Sequence, residues 1–246
     1  MLNARMPHLA PWQWLVGTLC AYMIGIAKTG APGVGTLMAP LMVLMTGDAR
    51  LAAGWTLPTL STADVFAVVY WRRHADAKKL FSLIPWTLAG MAAGTAALSL
   101  AEPVLRAIVA GILFLMLGIH LLRKFRPEAG IHGSPSFFGI VAGFATTVAN
   151  ASGPVMNLYL LSKKLSKEQF VATGAWFFFV LNLAKIPIYA WYHLFSRDSL
   201  LFNLMEVPMV LAGALTGRWL VQVIPQKMFD SMVVVLTVLC SAALLF

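Results

Sequence analysis

The sequence predicts an all-α integral membrane protein. It is read as a polytopic helical bundle of two repeats, each a broken, re-entrant helical hairpin followed by three transmembrane spans, with the second repeat inverted. Three observations carry this. Of 246 residues, 60% are hydrophobic and only 11% charged, with a mean hydropathy of +0.81, where soluble domains carry roughly 25% charged residues. Apolar segments of spanning length recur along the chain, which one buried core helix would not explain. Finally, a gap-free shift of 118 residues lays one half of the chain on the other.

Taken in order, apolar segments fall at 12–27, 34–46, 51–71, 80–98, 103–122, 136–149, 154–162, 170–193, 200–220 and 228–246. Six are long enough to span. The other four form two pairs, each member shorter than the ~17 residues a crossing needs. The first pair is split by Lys28-Thr29-Gly30-Ala31-Pro32-Gly33-Val34-Gly35. Glycine and proline loosen a helix there and the ammonium is costly in hydrocarbon, so this backbone must be buried in protein or line a wet cavity. The shift places Gly25 on Gly143, Gly35 on Gly153 and Asp64 on Asn182, so the second break is read at Thr146 to Gly153. Further on, Pro85, Gly90 and Gly94 repeat as Pro208, Gly213 and Gly217. The repeats are bounded at 1–125 and 126–246 of one transporter domain. Three spans per repeat is an odd number, which inverts the second repeat.

Net charge is +9, but the basic residues lie in short loops without a basic stripe or aromatic RNA-binding motif, so nucleic acid is not an expected partner. They set topology instead. With the 72–79 loop cytoplasmic, twelve loop Lys and Arg residues, among them Arg72, Arg73, Lys163 and Lys167, face inward, against Arg5, Arg50, Arg106 and Arg197 outside. Both termini are then outside. Cys20 and Cys240 sit within apolar segments and read as packing residues. No cleavable targeting peptide is evident. The Gly-xxx-Gly pairs read as helix-packing sites, and Trp12, Trp14, Trp71, Trp86, Trp191 and Trp219 as interfacial anchors near span ends. Glu206 and Arg218 are placed close enough to their span ends to reach water.

Lys28, Lys185 and Asp64 remain as ionisable residues within apolar segments. Such groups face a cavity or pair with one another; the alternative for the lysines is snorkelling to an interface. The second legs of the hairpins present helix N-termini, whose free N–H groups and positive dipole end favour an anion. The expected substrate-binding set is Lys28, Thr29, Gly33, Gly35, Asn150, Ser152, Gly153, Asn182 and Lys185. Asn182 and Lys185 share a face at i and i+3. Asp64 is assigned proton coupling, or neutralisation of Lys28 in the empty site.

These residues place the chain near a known family. Gly25 to Gly35 with Pro40, the Asp64 span, Gly143-Phe144, Ala149-Asn150-Ala151-Ser152-Gly153-Pro154, and Asn182-Leu183-Ala184-Lys185-Ile186-Pro187 resemble the TauE/SafE family of sulfite exporters over nearly the whole chain. The resemblance implies a duplicated permease of about eight helices for sulfite, sulfonates or related small organic anions.

The function expected is therefore a secondary permease for small anions, organosulfur or carboxylate, driven by protons and seated in the cell membrane as a multi-pass protein, the inner membrane if the chain is bacterial. Its partners are the anionic substrate and the lipid bilayer, and nothing in the sequence excludes a homo-oligomer. No cofactor is expected. No Walker loop, His-Glu-x-x-His helix or Gly-x-Ser-x-Gly elbow occurs, so an enzyme is not expected. A membrane-embedded enzyme and an assembly subunit without its own cargo are the alternatives.

Overall fold

Backbone polar groups in hydrocarbon must bond within their own segment, which leaves helices as the natural element for so apolar a chain. The computed structural model describes residues 9–32, 34, 38–97, 104, 108, 111, 114, 134–149, 152–163 and 165–243, and among these it is helical with no strand. The helices are α1 (Pro11–Thr29), α2 (Met38–Thr46), α3 (Ala49–Trp71), α4 (Ala77–Ala97), α5 (Pro135–Ala149), α6 (Ser152–Ser162), α7 (Lys167–Trp191), α8 (Arg197–Val223) and α9 (Gln226–Ala243). The 103–122 segment expected to span lies outside the described residues, apart from its isolated positions above.

Local chemistry fixes several of these ends. Pro11 occupies the first turn of α1, where its missing N–H costs nothing, and the Gln13 side chain accepts from the Ala10 N–H at 2.8 Å. Ser166 opens α7 with a capping box to Gln169, and Ser196 opens α8 with one to Ser199.

Among the described residues, Leu80–Ala97, Lys167–Trp191 and Arg197–Val223 are long and apolar enough to cross a membrane. These are three of the six expected from sequence; a fourth, 103–122, lies outside the described residues apart from isolated positions. The 23-residue α3 has the length, but Thr56, Thr59, Ser61, Thr62 and Asp64 make it more polar. The 18-residue α9 starts on Gln226 and Lys227 and carries Asp230.

The hairpins also differ from expectation. α1 has 19 residues, about 28 Å of helix, so the first leg is not too short to cross. It continues to Thr29, beyond the expected start of the break. The second break is narrower as well, because α5 runs to Ala149 and α6 starts at Ser152. Thr146 to Ala149 and Ser152 to Gly153 are helical.

Packing divides into two large apolar cores and a small cluster of Ala67, Val68 and Ala175 where α3 meets α7. In one, Cys20, Ala21 and Ile24 of α1, Met38, Met42 and Met45 of α2, and Ala52 and Ala63 of α3 surround Phe202 and Val210 of α8. In the other, α5, α6, α7 and α9 close over Leu80, Leu83 and Met91 of α4. The first core thus takes α8 from the other half of the chain, and the second takes α4 together with Trp71 of α3.

Close backbone approaches bring the exchanged helices in. A Cβ on Gly25 would collide with the α8 backbone at Val210 and Ala214, and one on Gly143 with the α4 backbone at Thr87 and Met91. Gly213 abuts Tyr22 O and Gly90 abuts Ile140 O. As numbering ascends along α1 it ascends along α8, so the two run parallel, as do α4 and α5. By contrast α3 and α7 are antiparallel: Gly54 meets Leu194, Asp64 meets Asn182, and the Asp76 N–H donates to Thr173 Oγ1.

Two sequence readings are corrected here. Trp71 is no interfacial anchor: it is buried, with its indole N–H donating to Thr29 O at 3.1 Å. Glu206 does not reach water; it is 5% exposed and accepts a 2.6 Å hydrogen bond from Thr18 Oγ1.

Candidate functional site

A polar residue inside an apolar bundle is retained only where partners satisfy it, so the buried ionisable groups locate the candidate site. Lys28, Asp64 and Lys185 gather where α3 and α7 cross. Asp64 is fully buried, and Lys185 is 2% and Asn182 3% exposed. Lys28, from the last turn of α1, has a side chain 10% exposed. A cation there also faces the negative end of its helix dipole.

Lys28 Nζ lies 2.7 Å from Asp64 Oδ1 and 4.3 Å from the centroid of the Phe178 ring. Asn182 Nδ2 donates to Asp64 Oδ2 at 2.5 Å, and Lys185 Nζ to Thr146 Oγ1 of α5 at 3.3 Å. Phe178, Asn182 and Lys185 stand at i, i+4 and i+7, which puts them on one face of α7. Four helices therefore supply one cluster: α1, α3, α5 and α7.

Of the residues expected from sequence, the structure brings together Lys28, Asp64, Asn182 and Lys185. It does not bring the Thr29 hydroxyl to them. That group donates to Gly25 O at 2.9 Å and to Ala214 O at 2.7 Å, tying α1 to α8. Ser152 is buried and Gly153 half-buried in the first turn of α6. Gly33, Gly35 and Asn150 lie outside the described residues. Phe178 was missed; its place one turn before Asn182 was the available signal.

Chemically, the cluster sets two amines against one carboxylate. A buried carboxylate held by an ammonium can be released in two ways, by protonation or by a competing anion. Among the described residues no group of three His, Cys, Asp or Glu side chains is arranged to hold a metal. A cavity of about 250 Å³, lined by Leu160, Leu161, Leu165, Phe170, Gln226 and Asp230, lies apart from these residues.

The family description "Sulfite exporter TauE/SafE" matches residues 15–244. No curated protein and no solved structure matches the chain. Nearly the whole chain is covered by the one match, and Lys28, Asp64 and Lys185 are gathered inside an apolar helical bundle; the protein belongs to the sulfite exporter TauE/SafE family, a family of membrane transporters and not of enzymes.

Proposed function

We propose that the protein is a proton-coupled secondary permease of the cell membrane for small anions such as sulfite, sulfonates, or related organosulfur or carboxylate anions. The observation that carries this reading is the buried cluster itself, which among the described residues brings two amines, Lys28 and Lys185, to one carboxylate, Asp64. Two amines gathered in an apolar bundle suit the binding of an anion, and Asn182 adds an amide beside them.

The cluster also supplies a coupling device. When Asp64 takes a proton its attraction for Lys28 is lost, and both ammonium groups turn to the anion. When the proton leaves, carboxylate and anion compete for Lys28, and the anion is expelled. Proton and anion then travel in the same direction. Ser152 and Gly153, with Gly33, Gly35 and Asn150, are proposed to add N–H and amide donors.

Alternating access follows from inverted repeats, 1–125 and 126–246, rocking about this cluster. Two pairs of contacts support the inversion. At an offset of 118 for α1 and α5, and 123 for α4 and α8, Gly25 on Val210 corresponds to Gly143 on Thr87, and Gly213 on Tyr22 to Gly90 on Ile140. Parallel α1 and α8, parallel α4 and α5, and antiparallel α3 and α7 are the directions an inverted duplication requires. The basic loop 72–79 is then cytoplasmic.

The test is binding to purified protein in detergent, read as thermal shift across sulfite, alkylsulfonates, sulfate and short carboxylates. A ligand at one hundred times its Kd adds about 2.7 kcal/mol of stability. Stabilisation by a sulfur oxyanion or carboxylate that Lys185→Ala abolishes is the expected result. Stabilisation by none of them contradicts the reading.

A further inference from the structure

The α3–α8 contact and the α4–α7 contact occupy corresponding places at the offsets given above, yet their chemistry differs. On α8, Ser199, Asn203 and Glu206 recur at i, i+4 and i+7, sharing one buried face. Asn203 Oδ1 accepts from Thr59 Oγ1 of α3, while its Nδ2 donates to Trp55 O at 2.9 Å and Ser199 O at 2.6 Å. Glu206 Oε1 accepts from Thr18 of α1 at 2.6 Å. In the corresponding contact Leu80 stands for Asn203, Leu83 for Glu206 and Phe177 for Thr59, all three buried in an apolar core.

Glu206 has no cation at ion-pair distance among the described residues. The helices packed against α8 here are α1 and α3. α1 brings Thr18, with its titratable Tyr22 one turn on; α3 brings Thr59, with Asp64 five residues on. The charged residues of α8 itself, Arg197, Asp198 and Arg218, are more than two turns away. A buried carboxyl so placed is tolerated far better neutral than charged.

We infer that Glu206 is a second proton-binding site, which receives protons from the side where α8 begins and passes them on to Asp64 across the α3–α8 contact. The inference rests on the transport reading for its purpose. In each transfer the O–H bond at Glu206 breaks as the one at Asp64 forms, Glu206 is left charged, and water on its own side reprotonates it. In the corresponding contact Leu83 stands in the place of the buried carboxyl, so the coupling proton approaches the anion cluster from one side.

Dicyclohexylcarbodiimide, which modifies protonated carboxyls in apolar surroundings, tests the site without reference to transport. In the full chain in nanodiscs, mass spectrometry is expected to find an adduct on Glu206 that fades as pH rises. No adduct there, or one indifferent to pH, overturns the inference. In proteoliposomes, Glu206→Gln, which preserves the acceptor for Thr18, is expected to bind the anion yet lose pH-driven accumulation by about tenfold or more. Accumulation by E206Q equal to that of the unmodified chain also overturns it. If the unmodified chain moves no anion, the transport reading fails, and the labelling alone decides Glu206.

Discussion

Asn182 donates to Asp64 at 2.5 Å, and these two residues are separated by the 118 positions that superpose one half of the sequence on the other. A residue that touches its own counterpart lies on the axis relating the halves. On the inverted-repeat reading the scaffold is therefore symmetric at this point while its chemistry is not, since acid faces amide. The departure from symmetry continues outward: Lys28 corresponds to Thr146, and Lys185 to Ala67.

The ion pair beside this contact gives the first prediction. Removing one member of a buried pair strands the other charge, at a cost of about 3–5 kcal/mol. Lys28→Met and Asp64→Asn are each expected to lower the unfolding temperature in detergent, and the double variant to recover most of that loss. Additive losses would mean that the two side chains do not act as a pair.

Anion affinity should depend on pH in a fixed direction. Lower pH favours neutral Asp64, which frees Lys28, so the Kd for an alkylsulfonate, whose own charge is constant, should fall as pH falls. In Asp64→Asn the dependence should flatten. Titration calorimetry at several pH values checks both, and an affinity that rises with pH would reverse the proposed coupling.

Helix packing offers a prediction independent of transport. Gly25 and Gly143 meet the backbone of a neighbouring helix, whereas a Cβ at Gly174 would find nothing closer than Leu160 Cδ1 at 3.7 Å. Gly25→Ala and Gly143→Ala should each destabilise by about 1–3 kcal/mol or more, with Gly174→Ala close to neutral. Thermal unfolding of the three variants separates them.

Sidedness can be read by labelling. Arg73 follows α3 and His193 follows α7, and both are exposed. With Cys20 and Cys240 replaced by alanine, Arg73→Cys should react with an impermeant maleimide only from the cytoplasmic face, and His193→Cys only from the opposite one. Reaction of both from one face would break the proposed topology.

Much of this fold was legible in the sequence because apolar length and turn residues mark helix ends directly. The segment 51–71 became α3 and 136–149 became α5 within two residues at each end. The breaks were read too wide, since Lys28 and Thr29 still belong to α1 and Thr146 to Ala149 to α5, where a charge or a run of small residues reads as an interruption although the backbone stays helical. Glu206 was misplaced for a related reason. Distance from a span end says nothing about Thr18, 188 residues away, which covers it. Within the site, Lys28, Asp64, Asn182 and Lys185 were legible because charge or amide in hydrocarbon is conspicuous. In the run Phe177-Phe178-Phe179, composition gives no reason to choose the ring that faces Lys28.

The central claim, that Lys28, Lys185 and Asp64 form the anion site, is tested most directly by flux. Radiolabelled sulfite or an alkylsulfonate would be followed in proteoliposomes under an imposed pH gradient. Lys28→Ala and Lys185→Ala are each expected to reduce flux by about tenfold to a hundredfold, the worth of a charged hydrogen bond, and Asp64→Asn to abolish the response to the gradient. Unchanged flux in all three variants would contradict the assignment.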